Sequence, residues 1–156
     1  RPSGGESIVL TFDPHPRITL GRAEGLLLLT TLDEKVRLLE TLGVDNVIVI
    51  PFDRTFSALS GEEFVREYLL RRLGARTLVV GYDHRFGHDR IGSDAIAGLG
   101  LRVVRVDECE VGGEHVSSTV IRRLIAEGRI AEAERLLGHP VSESVRRSCT
   151  PEKHVR

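Results

Sequence analysis

Short, almost wholly apolar runs alternate along this chain with stretches of helical periodicity, and that alternation limits the folds open to it. Ser7–Thr11, Asn46–Ile50, Thr77–Val80 and Leu101–Val106 are rich in Val, Ile and Leu. Runs this short and this apolar read as strands covered on both faces. Between them, Leu32–Leu42 sets Val36, Leu38, Leu39 and Leu42 on one side of a helix. Ser60–Leu73 opens with Ser60-x-x-Glu63, a capping box, and carries Phe64, Tyr68, Leu69 and Leu73 at helical spacing. Two more helices, Ser118–Ala126 and Ile130–Leu137, are split by Gly128. Strands alternating with helices predict an α/β fold, a parallel sheet wound with right-handed crossovers. The connection from Gly87 to Leu101 offers only Ser93–Ala97 as helix, little for a full crossover. After Pro140 the pattern dissolves, so 1–140 reads as the domain and 141–156 as linker or tail.

At 156 residues the chain is one domain's worth. Its 22 Lys and Arg against 23 Asp and Glu do not favour non-specific nucleic-acid binding through a basic surface. No apolar run approaches the ~18 residues of a membrane span. Cys109 and Cys149 stand apart, form no metal pattern, and fit a reduced, cytoplasmic setting. No Ser-His-Asp order, paired-histidine zinc motif or Walker loop points to a hydrolase or metalloenzyme. His88, His115, His139 and His154 sit singly in polar contexts and read as solvated. The chain contains no methionine and opens Arg1-Pro2-Ser3, which reads as a sequence whose native start lies upstream.

Three segments carry chemistry. Val116-Ser117-Ser118-Thr119-Val120-Ile121-Arg122 puts hydroxyl side chains where the first N–H groups of a helix have no intrahelical partner. The dipole makes that end attractive to phosphate, and Arg122 adds a permanent charge near Thr119. Simple capping by Ser117 or Ser118 is the plainer alternative. Phe12-Asp13-Pro14-His15-Pro16 sets a histidine between two prolines that stiffen the loop, either a rigid wall for a flat ring or a phosphate or a plain strand-ending turn with an exposed histidine. Gly81-Tyr82-Asp83-His84-Arg85-Phe86-Gly87 brackets a carboxylate, an imidazole, a guanidinium and two rings with glycines. Asp83 suits the polar edge of a heterocycle, and Phe86 either a ring face or the core. In a parallel sheet all three segments leave at the carboxyl ends of strands, where ligands bind.

Six motifs stand in order: Thr-Phe-Asp-Pro-His-Pro-Arg (11–17), Leu-Thr-Thr-x-x-Glu-Lys (29–35), Phe-Ser-x-Leu-Ser-x-Glu-Glu-Phe-Val (56–65), Val-Val-Gly-Tyr-Asp-His-Arg-Phe-Gly (79–87), Val-Ser-Ser-Thr-x-Ile-Arg (116–122) and Leu-Leu-Gly-His-Pro (136–140). Together they resemble the adenylyltransferase module of prokaryotic FAD synthetases, bifunctional riboflavin kinase/FMN adenylyltransferases. The resemblance runs from about Ser7 to Pro140.

It implies a Rossmann-like nucleotidyltransferase fold, with the N-terminal strand and helix expected upstream of Arg1. It implies AMP transfer from ATP to FMN with Mg²⁺, FMN and ATP as the partners, and a riboflavin kinase domain normally in the same polypeptide. By the same resemblance Ser118, Thr119 and Arg122 act in catalysis, and with Ser117 they hold ATP. Pro14, His15, Pro16, Arg22, Asp83 and Phe86 line the FMN side, and no residue ligates a metal. The family's His-x-Gly-His motif is absent from these residues and is expected ahead of Arg1. The helix before Leu101 is short for the family, and 141–156 does not resemble the start of the kinase half. A non-catalytic flavin- or nucleotide-binding module, or a sister nucleotidyltransferase with another substrate, is the alternative.

Overall fold

The computed structural model describes residues 4–22, 24 and 26–148. In chain order the elements begin β1 (Ile8–Asp13), α1 (Pro16–Thr19), α2 (Leu32–Thr41), β2 (Asn46–Pro51), α3 (Arg54–Ser57) and α4 (Gly61–Phe64). A π-helical stretch, Val65–Arg72, continues α4 and is followed by β3 (Thr77–Gly81), α5 (Ser93–Ala97) and β4 (Arg102–Val106). The chain closes with β5 (Glu110–Val111), β6 (Glu114–His115), α6 (Ser118–Ala126), α7 (Ile130–Leu137) and α8 (Glu143–Ser148). Two units emerge: Arg1–Asp13, Ala23–Ile50 and Cys109–Arg156 form the first, Pro14–Arg22 and Pro51–Glu108 the second.

In the first unit β1 and β2 are hydrogen-bonded neighbours. A reciprocal clamp fixes where they start. Ser7 donates its N–H and hydroxyl to Asp45 Oδ2 at 2.8 and 2.7 Å, and Asp45 N–H returns a bond to Ser7 Oγ at 3.0 Å. Each strand begins one residue past this clamp, so the two run in the same direction. Helix α2 starts at Thr31, whose hydroxyl accepts from Glu34 N–H while the Glu34 carboxylate accepts from Thr31 N–H at 2.8 Å. That backbone donor, foremost, holds the Glu34 pKa below the ordinary carboxylate range. Lys35 Nζ donates to the buried Thr11 Oγ1 at 3.0 Å and ties α2 to β1.

The core of this unit lies between α6 and α7. Ile121, Leu124 and Ile125 stand at i, i+3 and i+4 and pack with Ala133 and Leu136. The same cluster includes Val141 and Val145. This differs from the expectation of a loose tail after Pro140: Glu143–Ser148 is helical, and two valines one turn apart anchor it. Glu134 fastens the junction by accepting Val141 N–H at 2.9 Å and pairing with Arg146. The hairpin of β5 and β6 turns at Gly112 and Gly113, both at positive φ, as its two-residue loop requires.

In the second unit β3 and β4 are parallel, with Thr77 opposite Arg102 and Gly81 opposite Val106. The five residues of α5 suffice for this crossover, because the preceding segment folds back on itself through a Phe86–Ile91 bridge. Ile96 is fully buried, and Arg105 reaches back to donate to Ser93 Oγ at 2.5 Å and to pair with Asp94. The expectation of strands buried on both faces is corrected here. Strand alternation turns Leu78, Val80 and Val103 one way, whereas Val79 is 61% exposed and Val106 52% exposed on the other. The helix expected over Ser60–Leu73 starts with its capping box intact but loosens to π geometry from Val65.

Candidate functional site

The start of α6 is assembled from residues adjacent in sequence. Ser117 is the N-cap, and its hydroxyl accepts from Val120 N–H at 3.2 Å. The first intrahelical bond runs from Ile121 N–H to Ser117 O at 3.0 Å. The N–H groups of Ser118 and Thr119 therefore point out of the helix end, beside their own exposed hydroxyl groups. Arg122 is half-buried, and its Nε donates to Leu27 O at 2.7 Å. One edge of the guanidinium is thereby fixed, one turn on from Ser118, and the dipole at the helix start favours an anion there. Ser117 caps, as the plainer reading has it. The outward hydroxyls belong to Ser118 and Thr119.

In the second unit, Pro14, His15 and Pro16 start α1. Pro16 occupies the first turn, where a missing N–H costs nothing, and His15 Nδ1 accepts from Arg17 N–H at 3.2 Å. The His15 residue is half-buried. Arg22 lies exposed past Gly21 and closes the segment by donating its N–H to Arg17 O at 2.7 Å. The segment is anchored through Thr19 Oγ1, which donates to Phe52 O at 2.5 Å.

Phe52 begins a run of rings that local periodicity shows only in part. Its ring meets Phe56 edge-on with centroids 5.5 Å apart, and Phe56 meets Phe64 and Tyr68 at 5.9 and 5.2 Å. Phe64 stacks on Phe86 at 6.4 Å, and Phe86 takes the edge of His84 at 4.5 Å. Phe86 is only 5% exposed. Of its two sequence readings, ring face for a ligand or core residue, the packing fits the core. Tyr82, Asp83, His84 and Arg85 are exposed on the loop. Protein packed around the His84 ring lowers its pKa from the usual imidazole value, with Asp83 opposing, so the neutral form is favoured. Packing around the Tyr82 phenol raises its pKa, and the Glu108 and Asp83 carboxylates add to the effect. The sequence reading counts the Tyr82 ring and the His84 imidazole among the groups of this loop without giving either a role.

The remaining histidines differ from the solvated reading in two cases. His115 and His139 are half-buried, the latter with Nδ1 2.9 Å from Pro140 O, while His154 and Cys149 lie outside the described residues. Cys109 is exposed.

The FAD synthetase family profile matches residues 1–120, a span holding the 14–22 and 81–87 segments and the first residues of α6. The chain belongs to the FAD synthetase family. It is 37% identical over 144 residues to the bifunctional riboflavin kinase/FMN adenylyltransferase of Escherichia coli K12, covering 89% of this chain and 46% of that protein. It is 38% identical to a putative protein of the same description from Geobacillus thermodenitrificans, covering 91% of this chain and 77% of that one. The chain thus spans about half the length of the first of these relatives. A crystal structure described as a macrolide-efflux protein from Streptococcus pneumoniae superposes with TM-score 0.81 at 29% identity, covering 90% of this chain and 48% of that one. Among the described residues no helix is long and apolar enough to cross a membrane. The similarity to that structure supports the mixed α/β, nucleotidyltransferase-like fold of this family.

Proposed function

We propose that this chain is the FMN adenylyltransferase module of the family, transferring AMP from ATP to FMN to give FAD and pyrophosphate. The observation that carries the reading is the family match across residues 1–120, which takes in both candidate loops and the start of α6. In this reaction an oxygen of the FMN phosphate attacks the α-phosphorus of ATP. The new P–O bond forms as the bond from the α-phosphorus to the bridging oxygen breaks, and that oxygen leaves with pyrophosphate. The FMN phosphate is already ionised, so no protein nucleophile or general base is required. The protein contributes position and charge.

In this proposal Ser118 and Thr119 offer hydroxyl and N–H donors to the ATP phosphates at the positive end of α6. Arg122 offsets the charge that builds on the leaving pyrophosphate, and Ser117 holds the helix start that presents them. Pro14, His15 and Pro16 form a stiff wall for the flavin, Arg22 flanks it, and Asp83 takes a polar edge of the ring system. The packing of Phe86 supports a part beneath the loop, backing His84, in place of direct ring contact. Mg²⁺ enters the proposal as part of Mg·ATP, held mainly by the phosphates. A riboflavin kinase partner in the same polypeptide and a cytoplasmic setting follow from the bifunctional relatives as parts of the same proposal.

The test is an FAD-formation assay with FMN and Mg·ATP, followed by pyrophosphate release in equal amount. FAD and pyrophosphate appearing together support the reading. FMN binding with no FAD formed would replace it with a non-catalytic flavin-binding module, and turnover only with another acceptor would make it a sister transferase.

A further inference from the structure

The loop that carries Asp83 is latched to the start of α4 by a group of contacts centred on Asp89. Asp89 Oδ1 accepts the N–H of Gly61 at 2.8 Å, a bond that joins residues 28 apart in sequence. Around it, His88 N–H donates to Leu59 O at 3.0 Å, and Gly87 bridges Ser60. Two bonds of 3.0 Å between Phe86 and Ile91 close the loop on itself. The approach is close enough to dictate residue type. A Cβ on Gly87, at φ +69°, would fall 2.1 Å from Gly61 N, and one on Gly61 would fall 2.3 Å from Ile91 Cγ1. Neither glycine has room for a side chain at this contact.

Three donors at this helix start are each matched by a side chain. Glu63 accepts Ser60 N–H at 2.8 Å, Ser60 accepts Glu63 N–H at 3.2 Å, and Asp89 accepts Gly61 N–H. The first two come from the local capping box. The third comes from the loop, and so couples the helix start to the segment that displays Tyr82, Asp83 and His84.

We infer that Asp89 is a positioning residue for flavin binding, holding the 81–92 loop so that Asp83 meets the ring system in one fixed arrangement. The inference rests on the flavin reading above. Asp89 does not touch the flavin; it acts through Gly61 and the loop backbone. Removing the carboxylate leaves β3, β4 and the Phe86 stack in place and loosens the part of the loop that Asp89 ties to Gly61.

The test compares Asp89→Ala, Asp89→Asn and the unsubstituted chain in FMN titration, Mg·ATP titration and amide hydrogen exchange across Gly61 and residues 81–92. The expected result for Asp89→Ala is roughly tenfold weaker FMN binding, the loss a charge-assisted bond carries. Mg·ATP affinity should stay unchanged, and exchange should quicken across the loop. Asp89→Asn keeps an acceptor oxygen and should recover most of the FMN affinity. Gly87→Ala, which strikes the same contact from the other side, should repeat the Asp89→Ala pattern. Equal losses of FMN and Mg·ATP affinity would overturn the inference, as would Asp89→Asn behaving like Asp89→Ala. If the unsubstituted chain binds no FMN, the flavin reading and this role fall together. Exchange at Gly61 then still reports whether Asp89 holds the loop.

Discussion

The start of α6 and the 81–92 loop both present donors and acceptors at their surfaces, but they are held by different means. At α6 the device is local: Ser117 caps, Ser118 and Thr119 follow at once, and Arg122 lies one turn on, with the Leu27 carbonyl as its distant support. The loop is a tertiary device, fixed by Asp89 on Gly61 and by Phe86 between Phe64 and His84. A local device survives modest changes elsewhere, because its geometry comes from helix formation itself. A tertiary one depends on residues far apart in the chain and loses its geometry when any of them goes. Phosphate recognition suits the first kind, since backbone N–H groups serve any phosphate. Recognition of one particular ring system suits the second, where side chains from several segments must agree.

The largest expected effect comes from breaking the tertiary device at its centre. Phe86→Ala should cost about 3–5 kcal/mol of stability, the usual result of emptying a buried aromatic site. Denaturant unfolding checks this, and a loss below about 1 kcal/mol would mean the ring run is not what supports the loop. Breaking the local device should cost less. Ser117→Ala removes the acceptor for Val120 N–H and should cost about 1 kcal/mol, with weaker Mg·ATP binding and unchanged FMN binding. A matching loss of FMN affinity would erase the distinction drawn between the two regions.

The smallest effect is one of pH. The Val141 N–H, then Arg146, holds the Glu134 carboxyl below its ordinary pKa. A carboxylate whose folded pKa is lowered stabilises the fold fully above its unfolded value and ceases to do so as pH falls through the folded one. The attachment of α8 should therefore be constant near neutrality and weaken below about pH 4.3, the ordinary glutamate value. Protection against hydrogen exchange over residues 141–148, taken relative to the intrinsic rate at each pH, should fall in that range and depend less on pH in Glu134→Gln. Identical profiles for the two proteins would remove Glu134 from the account.

How much of this was legible in the sequence follows the same division. The capping box at Ser60 and Glu63, the short helix Ser93–Ala97 and the pair Ser118–Ala126 and Ile130–Leu137 all stand where local spacing and caps put them. Helix α8 was missed because Val141 and Val145 are only two apolar residues in a polar run, and it is the α6–α7 core that makes them count. The strands looked doubly covered because Val and Ile are as apolar on an exposed face as on a buried one. The Asp89–Gly61 bond left no local trace at all. An aspartate in a glycine-rich loop reads as a turn residue until its partner is known. Of the candidate residues, those on α6 follow from local helix chemistry. Phe86 could not be assigned to core or ligand without the rings of Phe64 and His84 beside it.

In the proposed reaction one region serves the ATP phosphates and the other the flavin. Calorimetric titration of FMN and of Mg·ATP into Arg122→Ala and Asp83→Ala, each beside the unsubstituted chain, tests it most directly. The account predicts a crossed pattern. Arg122→Ala should lose about 1.5–3 kcal/mol of Mg·ATP binding and keep its FMN affinity, and Asp83→Ala should lose FMN affinity and keep that for Mg·ATP. Parallel losses of both ligands in both variants would contradict it.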